Sequence, residues 1–186
     1  KERLKSYIVN ILATVAVISN YTDVQSLKEN FFYNFKIPKG RGDFLKIKLN
    51  NKSINIVDES YNSNPLSLEF AINNFNKMNV SSKSKNILLG DMLELGKFSK
   101  ILHKKAAKIV NKSKINKVFV YGKDIKETFN KIKTQKKGRI LNSKKEIISL
   151  MKNDLRDNDY LMVKASNATG LNNLISQIKL GQLNAI

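Results

Sequence analysis

The sequence predicts an α/β fold, a Rossmann-like, mainly parallel sheet with helices on both faces, preceded by a short helical segment. Three observations carry that prediction. From Asp58 onward, short runs rich in Val, Ile, Leu and Phe alternate with segments of helical period, the pattern of strands joined by helical crossovers. Four of those runs end in polar or glycine-bearing turns, at residues 58–64, 90–94, 121–122 and 164–169. The 186 residues, 41% of them hydrophobic, are enough to bury one good core with a small appendage.

The elements follow in order. Residues 4–19 read as a helix. Its charged start and apolar run over 7–18 imitate a secretory signal or a membrane helix, but the run falls short of the roughly 20 residues needed to span a bilayer. Asn10 interrupts it, no initiator Met precedes it, and a buried helix in a chain that begins inside a longer protein is the expectation. Residues 24–34 read as a second short helix ending in the aromatic cluster Phe31, Phe32, Tyr33 and Phe35. The run I-P-K-G-R-G at 37–42 is the strongest breaker, and it divides the chain into 1–39 and 40–186.

Beyond it, runs 44–49 and 53–57 flank Asn50-Asn51 and predict a hairpin. Pro65 suits the first turn of a helix over 65–78, with Leu68, Ala71, Ile72 and Phe75 on one face. Strands are expected at 86–89, 117–121, 140–141 and 160–164, and helices at 100–111, 124–132, 144–152 and 170–179.

Composition narrows the function. With no Cys there is neither a disulfide framework nor a thiolate metal site, and a cytoplasmic location is expected. The net charge of +19 invites a nucleic-acid partner. Yet of 34 basic residues only Arg3, Arg41, Arg139 and Arg156 are arginine, the side chain that forks onto phosphates and guanine edges. The lysines are scattered and interleaved with Asn, so the charge reads as a solvated basic surface, with no nucleic acid and no membrane insertion expected.

Parallel sheets bind ligands outside the carboxyl ends of their strands. If the strands are adjacent, the four polar turns share one rim, which is the candidate site. Asp58, Glu59, Asp91 and Glu94 are acceptors for hydroxyls, ammonium groups or a metal, while Asn62, Asn64, Ser166 and Asn167 donate and accept. Taken singly, each also fits a plain turn or helix cap. His103, the only His, equally fits an ordinary surface or core position. No metal-ligand spacing, nucleophile elbow or G-x-x-x-x-G-K-[ST] phosphate loop is present.

The ordered runs I-V-D-E-S-Y-N-S-N-P-L-S at 56–67, L-L-G-D-M-L-E-L-G at 88–96, His103, and M-V-K-A-S-N-A-T-G-L at 162–171 resemble the carboxyl-terminal domain of the Mur ligase family, most closely its MurF type. The resemblance covers roughly the whole chain, with Gly40-Arg41-Gly42 at the junction between central and last domains. It implies an ATP-dependent ligase of peptidoglycan synthesis that joins D-alanyl-D-alanine to UDP-N-acetylmuramoyl-tripeptide through an acyl phosphate. Residues 1–39 would be the end of the central ATP-binding domain, whose P-loop and Mg2+ ligands are absent from this chain, so the chain alone would be inactive. The full-length form would be a monomer. Asn10, Arg41, Asp58, Tyr61, Asn62, Asn64 and Pro65 would border ATP. Asp91, Met92, Glu94 and Ser166 would face the substrates, and Lys164 and His103 would be catalytic, Lys164 as a charge stabiliser. The sequence departs from the family at Ser6, where His is usual, at Ser63, where Ala is usual, and at Ala165, where Gly is usual. A free-standing basic α/β module that binds nucleotides or nucleic acid is the alternative.

Overall fold

The computed structural model describes residues 2–33, 39–49 and 51–181. Phe35, the first residues of the 37–42 breaker and Asn50 lie outside the described residues. The chain divides into two compact units, Lys1–Ile37 and Pro38–Ile186.

In the first unit, helix α1 spans Glu2–Ile18. The second helix expected over 24–34 does not form. Only a single 3-10 turn, Val24–Ser26, is present, with the Asp23 carboxylate accepting from Gln25 N and Leu27 already extended. Isolated turns follow, in which Phe31 N donates to Lys28 O and Tyr33 N to Asn30 O. Adjacent aromatics supply no 3.6-residue stripe, so nothing offsets the cost of nucleating a helix there.

The second unit is built on a six-stranded sheet in the order β1-β2-β6-β3-β4-β5. β1 (Asp43–Leu49) and β2 (Lys52–Glu59) form the expected hairpin, antiparallel, with Asp43 opposite Asp58. β3 (Lys85–Gly90), β4 (Lys117–Tyr121), β5 (Lys137–Leu141) and β6 (Tyr160–Lys164) are parallel to β2 and to one another.

The crossovers are α2 (Pro65–Lys77), α3 (Ser99–Lys112), α4 (Lys126–Lys131) and α5 (Lys144–Ser149), and α6 (Leu171–Lys179) follows the last strand. Two expected helices change at their ends. The first turn of the 124–132 segment is not regular helix, and α5 passes into a wider π-helical turn, Leu150–Asp154, in which Leu155 N reaches back to Leu150 O. The 140–141 strand begins three residues earlier than expected.

Alternation along the strands divides the core. Leu88, Leu161 and Val163 pack with Ile147, Leu174 and Ile175 of α5 and α6 on one face. Ile87, Leu89 and Met162 pack with Leu68, Ile72 and Phe75 of α2 and Ala106 and Val110 of α3 on the other. Successive strand residues point to opposite faces, so the unbroken apolar run 87–89 serves both layers. β6 therefore lies between two strands whose following helices cover the opposite face from its own. Its carboxyl end is the topological switch point, where open α/β sheets bind ligands.

Candidate functional site

The parallel register aligns the four polar turns. Glu59 and Leu89 are the two neighbours of Lys164, and Gly90 is opposite Tyr121. The rim expected from the strand ends therefore exists, with the end of β6 at its centre.

The first turn is stitched to the G-R-G loop. Gly42 N donates to Asp58 O at 2.6 Å and Tyr61 N to Gly40 O at 3.1 Å. Gly40 and Gly42 have φ of +78° and +85°, values costly for other residues, and a Cβ on Gly40 would meet Tyr61 N at 3.1 Å. These turns leave Arg41 exposed with its guanidinium 4.7 Å from the centre of the Tyr61 ring. Asp58 is buried and accepts from Ser60 N at 3.0 Å and Ser60 Oγ at 2.5 Å. Burial raises its pKa above the ordinary carboxylate value, and the two Ser60 bonds oppose the rise. Asn64 caps α2 in a reciprocal box with Ser67, and Pro65 opens the helix. Asn62 is exposed.

Lys164 is 2% exposed and turned into the fold, where its ammonium donates to Asn62 O and to Glu59 O, the latter at 3.4 Å. Burial lowers its pKa to about 8. Glu59 opposes that shift, and Arg41 adds to it. Lys164 thus holds the 59–62 turn through carbonyl oxygens.

The 91–95 turn is gripped from both sides. Ser166 Oγ accepts from Leu93 N at 2.9 Å and donates to Ser63 O at 3.2 Å, while Ser166 N donates to Asp91 O at 3.1 Å. One serine thereby joins three turns. The Asp91 carboxylate accepts from Lys123 N at 2.9 Å and Ile125 N at 2.7 Å. Gly122, at φ +142°, makes room for it, since a Cβ there would lie 2.5 Å from that carboxylate.

His103 is fully buried. Its Nε2 accepts from Met92 N at 3.0 Å, which leaves the proton on Nδ1 to donate to Ser99 O at 2.8 Å. Met92 itself is in the core. Glu94 alone of this turn's polar side chains is exposed, on a left-handed backbone at φ +64°.

Two of the departures from the family pattern, Ser63 and Ala165, are accommodated. Neither Ser63 nor Ala165 has positive φ. Gly90 leaves the space that the Ala165 methyl occupies, for a Cβ on Gly90 would lie 2.6 Å from it. Asn10 belongs to α1 in the other unit, where it is exposed and its carbonyl accepts from Thr14 Oγ1.

The rim therefore has two populations. Asp58, Asn64, Asp91, His103, Lys164 and Ser166 are committed to backbone and shape the turns. Arg41, Tyr61, Asn62 and Glu94 remain toward solvent, a cation on a ring, a carboxamide and a carboxylate. Sequence reasoning missed Ser60, for which no pattern stood out. It also missed Ser99, whose hydroxyl bonds Asp124 and whose i, i+4 spacing to His103 was a usable signal.

Residues 40–167 match the family model described as Mur ligase, glutamate ligase domain. The chain is 29% identical over 145 residues to the UDP-N-acetylmuramoyl-tripeptide–D-alanyl-D-alanine ligase of Bacillus subtilis, covering 75% of this chain and 31% of that protein. It is 33% identical over 130 residues to the ligase of the same name from Buchnera aphidicola subsp. Baizongia pistaciae, covering 69% and 27%. Among solved structures, the MurF ligase of Thermotoga maritima in complex with ADP matches with a TM-score of 0.66 at 20% identity, over 96% of this chain and 39% of that one. MurF from Acinetobacter baumannii matches at 0.61 and 19%, over 78% and 31%. The chain spans 31% and 27% of the length of these two curated relatives.

Proposed function

The chain belongs to the Mur ligase family through its glutamate ligase domain, and from that premise we propose that it is the carboxyl-terminal part of an ATP-dependent, amide-bond-forming ligase of peptidoglycan synthesis. Its substrates would be UDP-N-acetylmuramoyl-tripeptide and D-alanyl-D-alanine, and its place the cytoplasm, as a monomer in full-length form. The observation that carries this reading is the match, over most of the chain, to curated ligases of that name. Among the described residues no helix is long and apolar enough to cross a membrane.

In this reading residues 1–39 close the central ATP-binding domain and residues 40–186 form the carboxyl-terminal one. The exposed Arg41 guanidinium over Tyr61, beside Asn62, fits a nucleotide, offering a cation to phosphate and a planar surface to the remainder. Asp58, Asn64 and Pro65 would serve by fixing that turn. Bound ATP would supply the phosphoryl group that activates the peptide carboxylate. Among the described residues no group of three or more His, Asp or Glu could hold a metal ion, so Mg2+ would depend on ligands from the central domain.

Glu94 would meet the ammonium group of the incoming dipeptide, while Asp91, Met92, His103 and Ser166 hold its turn in place. Lys164 would act chiefly by holding the 59–62 turn against the nucleotide. With Asp91, His103, Lys164 and Ser166 already bonded to the backbone of these turns, binding of substrate needs little reordering of them.

The test is D-alanyl-D-alanine-dependent phosphate release by the enzyme assembled with its P-loop portion. Arg41→Ala is expected to raise the apparent KM for ATP more than that for the dipeptide, and Glu94→Gln the reverse. Absence of release from an intact assembly, with nucleotide bound by this chain alone, would overturn the reading in favour of a free-standing binding module.

A further inference from the structure

The end of the sheet opposite the rim has no part in the ligase reading. There the segments 82–86, 112–117 and 131–137, which lead into β3, β4 and β5, carry repeated lysines and not one Asp or Glu. Between them lies an open cleft of about 420 Å³ whose lining includes Lys83, Lys114, Asn116, Gln135 and Lys136.

Its frame is fixed. Lys136 Nζ donates to Ser113 O and Ile115 O, both at 2.7 Å, beyond the last turn of α3. Lys85 Nζ donates to Asn76 O and Met78 O, both at 2.8 Å, at the end of α2. Asn116 Nδ2 donates to Lys83 O at 2.8 Å. By contrast, the ammonium groups of Lys83 and Lys114 make no hydrogen bond or ion pair among the described residues.

We infer that this cleft binds a compact polyanion of the oligophosphate class, its phosphoryl oxygens held among the ammonium groups of Lys83, Lys114 and Lys136. Three lysines line one cleft whose lining holds no carboxylate, with Asp159 set back from it behind Asn86 and Asn116, and such an excess of one sign favours an anion. The existing charges already strain against one another. Lys114 adds to the burial that lowers the pKa of Lys85, and Lys133 adds to the burial that lowers that of Lys136. The lining holds no aromatic side chain on which a base could stack and no Arg to read a base edge, so phosphate rather than nucleobase is the recognised group.

Inorganic tripolyphosphate titrated into the 186-residue chain by calorimetry tests this. One-to-one saturable binding that weakens with added salt is expected. Lys83→Gln/Lys114→Gln should weaken it about tenfold or more, each tenfold being one decade in Kd. Lys105→Gln/Lys108→Gln, which removes the same charge from the exposed face of α3, should change it less than about twofold. All four lysines concerned are exposed, so these variants should fold, and circular dichroism checks that they do. No saturable binding, equal weakening in both double variants, or loss only in Arg41→Ala would overturn the inference. Single-stranded RNA binding that tripolyphosphate does not displace would do so in favour of a nucleic acid. Absence of saturable binding, or equal weakening in both double variants, would leave the ligase reading intact, since that reading rests on the match to curated ligases.

Discussion

The two ends of one sheet use polar residues in opposite ways. At the carboxyl rim, Asp91, His103, Lys164 and Ser166 are turned inward and bond backbone of a neighbouring turn, while Asp58 bonds Ser60 within its own turn. The groups left to solvent there are few and chemically distinct. At the amino end, Lys85 and Lys136 likewise satisfy carbonyls, but beside them the ammonium groups of Lys83 and Lys114 make no hydrogen bond or ion pair among the described residues. The comparison teaches that a dense polar motif marks a site by shaping it, and that the residues meeting a ligand can be the least constrained members of the motif. It also separates charge that organises from charge that attracts.

Five substitutions sharpen or break that contrast. The largest effect is expected from Gly122→Val, which forces a side chain into the Asp91 carboxylate at a φ of +142° and dislodges its two backbone bonds. A loss of about 3 kcal/mol or more in denaturant unfolding follows from strain together with unsatisfied donors. A near-neutral result would mean that the rim turns are not mutually held.

His103→Ala should cost about 2–3 kcal/mol, since it leaves a cavity and orphans Met92 N. Hydrogen exchange at Met92 and Leu93 should accelerate beyond the global change. Unaltered exchange there would show that His103 does not hold the turn.

Lys164 makes a pH-dependent prediction. Its folded pKa, about 8, lies below the unfolded value of 10.5, so between those values the unfolded chain binds the extra proton. Stability contributed through this group therefore rises as pH climbs from about 8 to about 10.5, and is lowest and level below that window. The wild type should gain stability over this range relative to Lys164→Met, and parallel curves would show that the ammonium is not buried as described.

The smallest effects separate two lysines of the opposite end. Lys85→Ala should cost about 1–2 kcal/mol by uncovering the carbonyls at the end of α2, whereas Lys83→Ala should stay within about 0.5 kcal/mol. Equal losses would erase the distinction between organising and attracting charge.

Much of the fold was legible because its signals are local. The 87–89 run, the Leu68, Ala71, Ile72 and Phe75 stripe, and Asn64-Pro65 at a helix start each encode an element within a few residues. The 24–34 helix failed because its aromatics are adjacent rather than periodic, and the π-helical turn after α5 had no local signature. At the site, the polar turns were legible as a group, and their residues' roles were not. Nothing in the spacing of Lys164, Ser166 and Asp91 says which atoms they meet, since Ser166 bonds a carbonyl 103 positions away in the chain.

The sequence by itself determined the alternation of strands and helices, the positions of the polar turns and the family, because hydrophobic period, turn chemistry and ordered motifs are properties of neighbouring residues. Only the tertiary structure decided that β6 inserts between β2 and β3, that Lys164 and His103 face inward while Arg41 and Glu94 face out, and that the lysines before β3, β4 and β5 gather around one cleft. Those outcomes depend on which distant backbone groups must be satisfied once strands pair and helices pack, and that requirement exists only in the folded chain.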